Sequence, residues 1–153
     1  MEKDARSRLL ARYMDGYRAV AEAVNGLSDE ELDRQAADGW SARQIVHHLA
    51  DSELTSAIRL RRLVAEEQPV IQGYDEGLFA QKLHYERPIA ASLEALRAAR
   101  LTTGEIVAAF DDAEWARAGT HSESGNYSVE DWLEIYAAHA HDHAEQIRRA
   151  VAG

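Results

Sequence analysis

Apolar residues recur every three or four positions along four long stretches of the chain, which is the spacing of an amphipathic helix. These stretches cover roughly residues 4–24, 41–67, 88–110 and 128–151. Pro69 follows the second stretch closely, and a proline cannot continue a helix because it lacks the amide proton. The pattern therefore predicts four long helices separated by breaks.

Residues that cap helices stand where three helices are expected to begin. Ser28 is followed three residues later by Glu31, and Ser128 is followed at the same spacing by Asp131. Ser41 directly precedes the second long stretch. Serine at such a position accepts a hydrogen bond from a free amide of the first turn, and an acidic residue three positions on returns a second bond.

The segments between the long helices contain short helices and turns. Residues 27–32 and about 76–83 are expected to form short helices, whereas residues 111–127 are polar and rich in turn formers. No segment alternates apolar and polar residues as a convincing run of strands would. The sequence thus predicts an all-α four-helix bundle that forms a single domain over residues 1–153, although the spacing leaves the helix order open.

The charge and the cysteine content exclude several classes of function. The chain has 27 acidic and 17 basic residues, 46% hydrophobic residues and no cysteine. A formal net charge of −10 repels phosphate backbones and anionic lipids, so neither nucleic acid nor a membrane is an expected partner. Disulfides, thiolate metal sites and cysteine nucleophiles are excluded. The first residues are charged and no long apolar run occurs, so we expect a cytoplasmic protein.

Basic residues cluster at two places along the helices. Arg59, Arg61 and Arg62 form one cluster, and Arg148 and Arg149 form the other. We expect solvated helix faces or charges near helix C-termini at both places. Binding of a small anionic group of a substrate is the alternative.

Two histidines lie in the apolar stripe of the fourth predicted helix. His139 and His143 are four residues apart, so they occupy one face a single turn from each other. Imidazoles in an apolar stripe are costly to bury unless they are paired. A shared cation would satisfy both rings, whereas hydrogen bonds within the core are the alternative.

The second helix supplies a third candidate ligand. His48 lies at the edge of the apolar stripe beside Ile45 and Ser52, while its neighbour His47 points away from that stripe. We therefore choose His48 as the inward-facing residue and expect Trp40 to close the end of the bundle near it. The histidines expected at the surface or in loops, without a ligand role, are His47, His84, His121 and His141. Of these, His84 and His121 are candidates for the mouth of a pocket.

Two strings of residues are distinctive. Residues 39–53 read Gly-Trp-Ser-Ala-Arg-Gln-Ile-Val-His-His-Leu-Ala-Asp-Ser-Glu, and residues 136–147 read Tyr-Ala-Ala-His-Ala-His-Asp-His-Ala-Glu-Gln-Ile. Together with the helix count and the loop placement, they resemble the DinB-like superfamily, particularly its YfiT-like branch of metal-dependent hydrolases and thiol transferases. The resemblance extends over nearly the whole chain.

This resemblance implies an antiparallel bundle with an up-down-down-up helix order and, in many members, a homodimer. It implies three metal ligands: the histidine directly before Leu-Ala-Asp, which is His48, and the two histidines of the His-x3-His motif, His139 and His143. The chain departs from the branch at Glu53, where many members carry another histidine. It also has Asp142 before His143, where many members have a second histidine, so the substrate preference need not carry over.

Three neutral imidazoles leave one coordination position open, as in catalytic metal sites. Zinc is the first choice of divalent metal because imidazole suits it, and nickel, iron or manganese are alternatives. The open position would hold an acidic water for hydrolysis or the thiolate of a low-molecular-weight thiol for transfer to a small electrophilic substrate. The resemblance slightly favours thiol transfer. The competing interpretations are a non-enzymatic metal-binding or stress-response module and a dimeric bundle in which the histidines only pack.

No general base can be assigned among the neighbouring carboxylates. Most of them are expected to be solvated, and Glu53 and Glu145 are expected to point away from the ligand faces. Asp51 or Asp142 is a candidate for orienting a ligand imidazole. Ser52 lies one turn from His48, where its hydroxyl would contact bound solvent. We expect Trp132 and Tyr136 to belong to the core.

Overall fold

The computed structural model describes residues 1–152, which hold seven helices and three short strands. The four long helices confirm the pattern expected from the sequence, with ends shifted by a few residues at most. They are α1 (Lys3–Val24), α3 (Ala42–Ala65), α5 (Ala90–Ala108) and α7 (Val129–Ala152). The short helices are α2 (Asp29–Asp33), α4 (Glu76–Lys82) and α6 (Asp112–Trp115).

The predicted caps explain where the helices begin. The Ser41 hydroxyl accepts from the amide of Gln44 at 3.2 Å, and the Gln44 side chain accepts from the Ser41 amide at 3.0 Å. Ser128 and Asp131 form the same reciprocal pair ahead of α7. These caps satisfy amides that the first turn leaves unpaired, so they set the start of the two helices that carry the candidate histidines.

A small sheet is present that the sequence pattern did not indicate. Strand β2 (Ala118–His121) pairs with β3 (Gly125–Ser128) as an antiparallel hairpin, and β1 (Val70–Ile71) lies parallel to β2. Gly125 has a φ of 80°, which glycine adopts without steric strain. Strands of two to four residues are too short to show a period of two, which is why this sheet was missed.

The long helices pack in a ring that is not their order along the chain. Helix α1 packs against α5 and α7, and α3 packs against the same two helices. The first two long helices therefore stand diagonally across the bundle. This arrangement gives α3 two long neighbours, so two of its faces are buried.

The helix directions follow from pairs of contacts. Helices α1 and α7 run parallel, α3 and α5 run parallel, and the two pairs run opposite to each other. The order is up-down-down-up, as the resemblance implied. Three pairs of contacts fix these directions: Arg6–Glu130 with Arg12–Ala137, Ser56–Trp132 with His48–His143, and His47–Ser92 with Arg61–Thr103.

A buried ion pair crosses the bundle, and here the sequence analysis was wrong. Glu53 was expected to be solvated, yet it is 1% exposed and lies 2.8 Å from the Nε atom of Arg100, which is equally buried. The Tyr13 hydroxyl donates to the same carboxylate. Arg100 donates to the carbonyl groups of Tyr13 at 2.5 Å and Tyr136 at 3.0 Å. The pair thus ties α1, α3, α5 and α7 together.

Among the described residues, none of the helices combines the length and the hydropathy that a membrane span requires.

Candidate metal centre

The structure brings together the three histidines that the sequence analysis selected. His48 projects from α3, while His139 and His143 lie one turn apart on α7, which runs antiparallel to α3. One ligand atom from each ring lies within 4.8 Å of the other two. The Nε2 atoms of His139 and His143 are 3.2 Å apart. Two nitrogens on a tetrahedral zinc ion, each about 2.0–2.1 Å from the metal, are separated by roughly 3.3 Å, so this spacing fits a shared ion.

His48 is the member of the group that the protein leaves unpaired. It is 2% exposed, and neither ring nitrogen has a hydrogen-bond partner within residues 1–152. An unpaired polar group in the interior costs about 1–3 kcal/mol. The rings around it are Trp40 at 5.8 Å, His139 at 5.4 Å and His143 at 4.8 Å between centroids. A cation bound between the histidines would satisfy His48, and Trp40 closes this end of the bundle as expected.

The environment keeps the imidazoles neutral. Burial lowers the pKa of His48 to about 4, and the neighbouring His143 contributes a smaller part of the decrease. Burial also lowers the pKa of His139 to about 2, again with His143 as the next cause. A neutral imidazole is the form that binds a metal ion. At neutral pH both rings therefore have the protonation state that ligation requires.

His143 is oriented by a partner that the sequence analysis missed. Its Nδ1 atom lies 2.6 Å from Oε1 of Gln146, an acceptor, so the proton is on Nδ1 and the lone pair of Nε2 faces His139. The amide of Gln146 donates in turn to Asp38 at 2.8 Å. Such outer contacts fix the tautomer and the direction of a ligand imidazole. The spacing of three residues from His143 was the available signal, since it places Gln146 on the same helix face.

The carboxylates near the ligands have other partners or are exposed. Asp51 accepts a hydrogen bond from the Tyr85 hydroxyl at 2.6 Å, and Asp142 and Glu145 are exposed. The orienting role suggested for Asp51 or Asp142 therefore falls to Gln146. Glu53 belongs to the buried ion pair described above.

His47 was expected at the surface, and this was wrong. It is fully buried, with Nδ1 2.7 Å from the Ser92 hydroxyl and Nε2 2.9 Å from the Arg87 carbonyl. Both of its nitrogens are thus satisfied by the segment that leads into α5. His84 is exposed, as expected, and His141 is partly buried with Nε2 2.9 Å from the Arg12 carbonyl.

A cleft of about 250 Å³ opens onto His139. Ser52 and Tyr136 line it. Tyr136 is also buried in the core, as expected. His121 also lines the cleft, which agrees with its expected place at a pocket. It is buried at the end of β2, however, so the prediction of a surface or loop position was wrong. The small sheet therefore supplies one wall of the cleft. The other lining residues are Arg59, Gly73, Tyr74, Glu76, Glu123 and Ile135.

This combination of a helical bundle and an inward-facing group of three histidines defines the class of protein. The model of the DinB superfamily matches residues 13–147, which is most of the chain. The chain therefore belongs to the DinB superfamily.

Individual relatives share both the sequence and the fold. A protein of Oceanobacillus iheyensis named "Putative metal-dependent hydrolase" is 35% identical over 131 residues, which cover 85% of this chain and 76% of that protein. "Putative metal-dependent hydrolase YfiT" of Bacillus subtilis is 32% identical over 131 residues, covering 84% of this chain and 74% of the relative.

The solved structure of YfiT from Bacillus subtilis superposes on this chain with a TM-score of 0.92 at 26% identity, covering 98% of this chain and 87% of the other. That protein is described as a probable metal-dependent hydrolase with an unusual four-helix bundle topology. The ring order and helix directions found in this chain form a bundle of the same kind.

Proposed function

We propose that this chain is a divalent-metal-dependent enzyme that acts on a small electrophilic substrate with water or a low-molecular-weight thiol as the nucleophile. The single observation that carries the proposal is the group of His48, His139 and His143, in which the buried His48 has no other partner among the described residues. The names of the relatives support metal-dependent hydrolysis. The resemblance to thiol transferases supports thiol transfer.

The residues present fit a divalent ion, with zinc as first choice and nickel, iron or manganese as alternatives. Three imidazole ligands leave room for a further ligand, and a metal ion held there supplies Lewis-acid chemistry that makes a water or thiol nucleophile available at neutral pH. His48 anchors the group from α3, and Gln146 holds the ring of His143 in the binding orientation.

The surroundings favour an enzyme over a closed structural site. On one side, Trp40 and the core close the group against solvent. On the other side, His139 lines a cleft that also presents the Ser52 and Tyr136 hydroxyls. A structural metal site has no need of such access. The cleft gives a small substrate a path to His139.

The proposal is tested by removing the metal with a chelator and reloading the protein with zinc, nickel, iron or manganese. Hydrolysis of an activated ester and conjugation of cysteine to an electrophilic aryl halide are then measured. We expect at least one activity to vanish on stripping and to return on reloading, and we expect His48→Ala to lack it. His141→Ala changes a histidine of the same helix outside the group and should retain activity. Rates that do not depend on metal, or that survive in His48→Ala, would contradict the proposal.

Homodimer formation and a cytoplasmic location remain predictions from the sequence.

A further inference from the structure

Arg59 lies on the same side of α3 as His48, since eleven residues correspond to about three helical turns. Its guanidinium lines the cleft that ends at His139. One Nη group donates to the Tyr136 hydroxyl at 3.1 Å, and the other donates to the Gln72 carbonyl at 2.9 Å. These two bonds hold the side chain in place, which differs from the solvated helix face expected for this arginine cluster.

The third nitrogen of the Arg59 guanidinium has no partner. Its Nε atom is buried and has no hydrogen-bond partner within the part of the chain that the structure describes. The hydroxyl group of Tyr74, which also lines the cleft, is buried and unpaired in the same way. Arg59 lies 6.0 Å from the ring of Tyr74.

Two unpaired donors at one cleft require an explanation, because buried donors without partners are rare in proteins and each costs about 1–3 kcal/mol. They are satisfied together if a bound molecule supplies the acceptors. The group best matched to a guanidinium and hydroxyl donors is an anion with two or more oxygen atoms.

The charges at the cleft favour a singly charged anion over a doubly charged one. Arg59 contributes one positive charge, whereas Glu76 and Glu123 lie exposed at the rim. The two carboxylates disfavour a doubly charged phosphate more than a singly charged group. The cleft volume of about 250 Å³ is below the range of roughly 300–1,000 Å³ for drug-sized ligands, which points to a short molecule.

We propose that the cleft is the binding site for a carboxylate group of the substrate, held by Arg59 together with the Tyr74 hydroxyl, so that the substrates are small carboxylic acids. This inference rests on the proposed function, because it places the reactive end of the molecule at His139. Arg59 and Tyr74 determine specificity and binding position in this proposal.

A matched pair of thiols tests the site. The protein is loaded with cobalt(II), and 3-mercaptopropionate and its uncharged analogue 3-mercaptopropionamide are titrated while the thiolate-to-cobalt absorption band is recorded. The two probes ligate the metal in the same way and differ in the carboxylate. We expect the wild-type protein to bind the carboxylate about 10-fold more tightly or better, as hydrogen bonds to a charged group imply.

Variants separate the site from general surface charge. Arg59→Gln should bring the ratio of the two dissociation constants close to one. Arg62→Gln removes an exposed arginine of the same helix that pairs with Glu66, and it should leave the ratio unchanged. Tyr74→Phe removes a hydroxyl without an internal partner, so it should lower the ratio several-fold while leaving the urea midpoint equal or higher. A purely structural role of this hydroxyl would not change the ratio.

Failure of this proposal is distinguishable from failure of the proposed function. Equal binding of the two thiols by wild-type protein, an unchanged ratio in Arg59→Gln, or an equal loss in Arg62→Gln would overturn the carboxylate site while the cobalt band still showed a working metal centre. Absence of cobalt binding would overturn the proposed function.

If the protein does not bind cobalt, metal-free protein is titrated with propionate and propionamide while the Nε–H resonance of Arg59 is followed by NMR. A shift with propionate alone supports the carboxylate site, and no shift, or the same shift with both, overturns it. The resonance is assigned by its loss in Arg59→Gln.

Discussion

Two buried polar groups lie five residues apart on α3 and differ in how their hydrogen bonds are met. Glu53 contacts Arg100, Tyr13 and Ser56, and Arg100 also donates to two backbone carbonyls. His48 is almost equally buried and has no partner in residues 1–152. A buried polar group whose hydrogen bonds are formed within the protein stabilises the fold. A buried polar group without an internal partner indicates a bound ligand.

The same contrast exists between adjacent residues. His47 and His48 are both buried, but His47 contacts Ser92 and Arg87 whereas His48 faces the other two histidines. Burial alone therefore does not identify a metal ligand. The two rings differ in that His48 has no partner and lies beside two further histidines, so substitutions at these positions should have opposite consequences.

The largest effect is expected for His48→Leu, which keeps most of the side-chain volume and removes the candidate ligand. The affinity for zinc should fall by at least about 10,000-fold, which corresponds to about 5.5 kcal/mol. The free energy of unfolding of the metal-free protein should stay the same or rise, because an unpaired polar ring is replaced by an apolar one. Calorimetric zinc titration and urea denaturation measure the two quantities. If His48→Leu bound zinc as tightly as the wild-type protein, His48 would not be a metal ligand and would not differ from Glu53 in this way.

Arg100→Met should have the next largest effect, and on a different property. It leaves the Glu53 carboxylate buried without its counter-charge, so the free energy of unfolding should fall by about 3–5 kcal/mol. Zinc affinity of the folded protein should change by less than about threefold, since Arg100 contacts none of the three histidines through a hydrogen bond. Urea denaturation is the measurement.

The double variant with Glu53→Gln serves as the control for Arg100→Met, and it should recover part of the lost stability because no buried charge remains. If Arg100→Met alone were as stable as the wild-type protein, the ion pair between Glu53 and Arg100 would not contribute to the stability of the bundle.

His47→Leu provides the direct comparison with His48→Leu. Here the substitution removes the shorter of the two hydrogen bonds made by the Ser92 hydroxyl and by the Arg87 carbonyl, so the free energy of unfolding should fall by about 2 kcal/mol. Zinc affinity should be retained. If His47→Leu stabilised the protein and His48→Leu destabilised it, the assignment of the two rings would have to be exchanged.

Gln146→Ala should have the smallest of these effects. Loss of the contact that orients His143 should weaken zinc binding by about tenfold, or about 1.4 kcal/mol. The metal-free protein should lose little stability because Gln146 lies in a partly exposed position. Gln44→Ala alters a glutamine of the Ser41 cap and provides a control that should leave zinc affinity within twofold of wild type. Unchanged zinc affinity in Gln146→Ala would show that the glutamine does not orient the ring.

The parts of the molecule that local sequence determines were predictable. The apolar spacing and the caps at Ser28, Ser41 and Ser128 placed the helices within a few residues, because both signals arise within a single turn. The helical wheel also placed His139 and His143 on the buried face. Their convergence with His48 was expected from the apolar stripes and supported by the resemblance.

The parts that depend on distant partners were not predictable in the same way. Glu53 and His47 were assigned to the surface because the wheel recognises one apolar stripe, whereas α3 is buried against both α5 and α7. The partners that make this burial possible, such as Arg100 and Ser92, lie 40 or more residues away in the chain. A polar residue whose partner comes from another helix has no local signature, and neither has a strand of two residues.

The most direct test of the account is a titration of zinc into metal-free protein while the imidazole nitrogen resonances of the histidines are followed by NMR. The account predicts that His48, His139 and His143 shift together and saturate at about one ion per chain, while His47 stays in place. Saturation with any of the three unchanged, or with His47 shifting in place of His48, would contradict it.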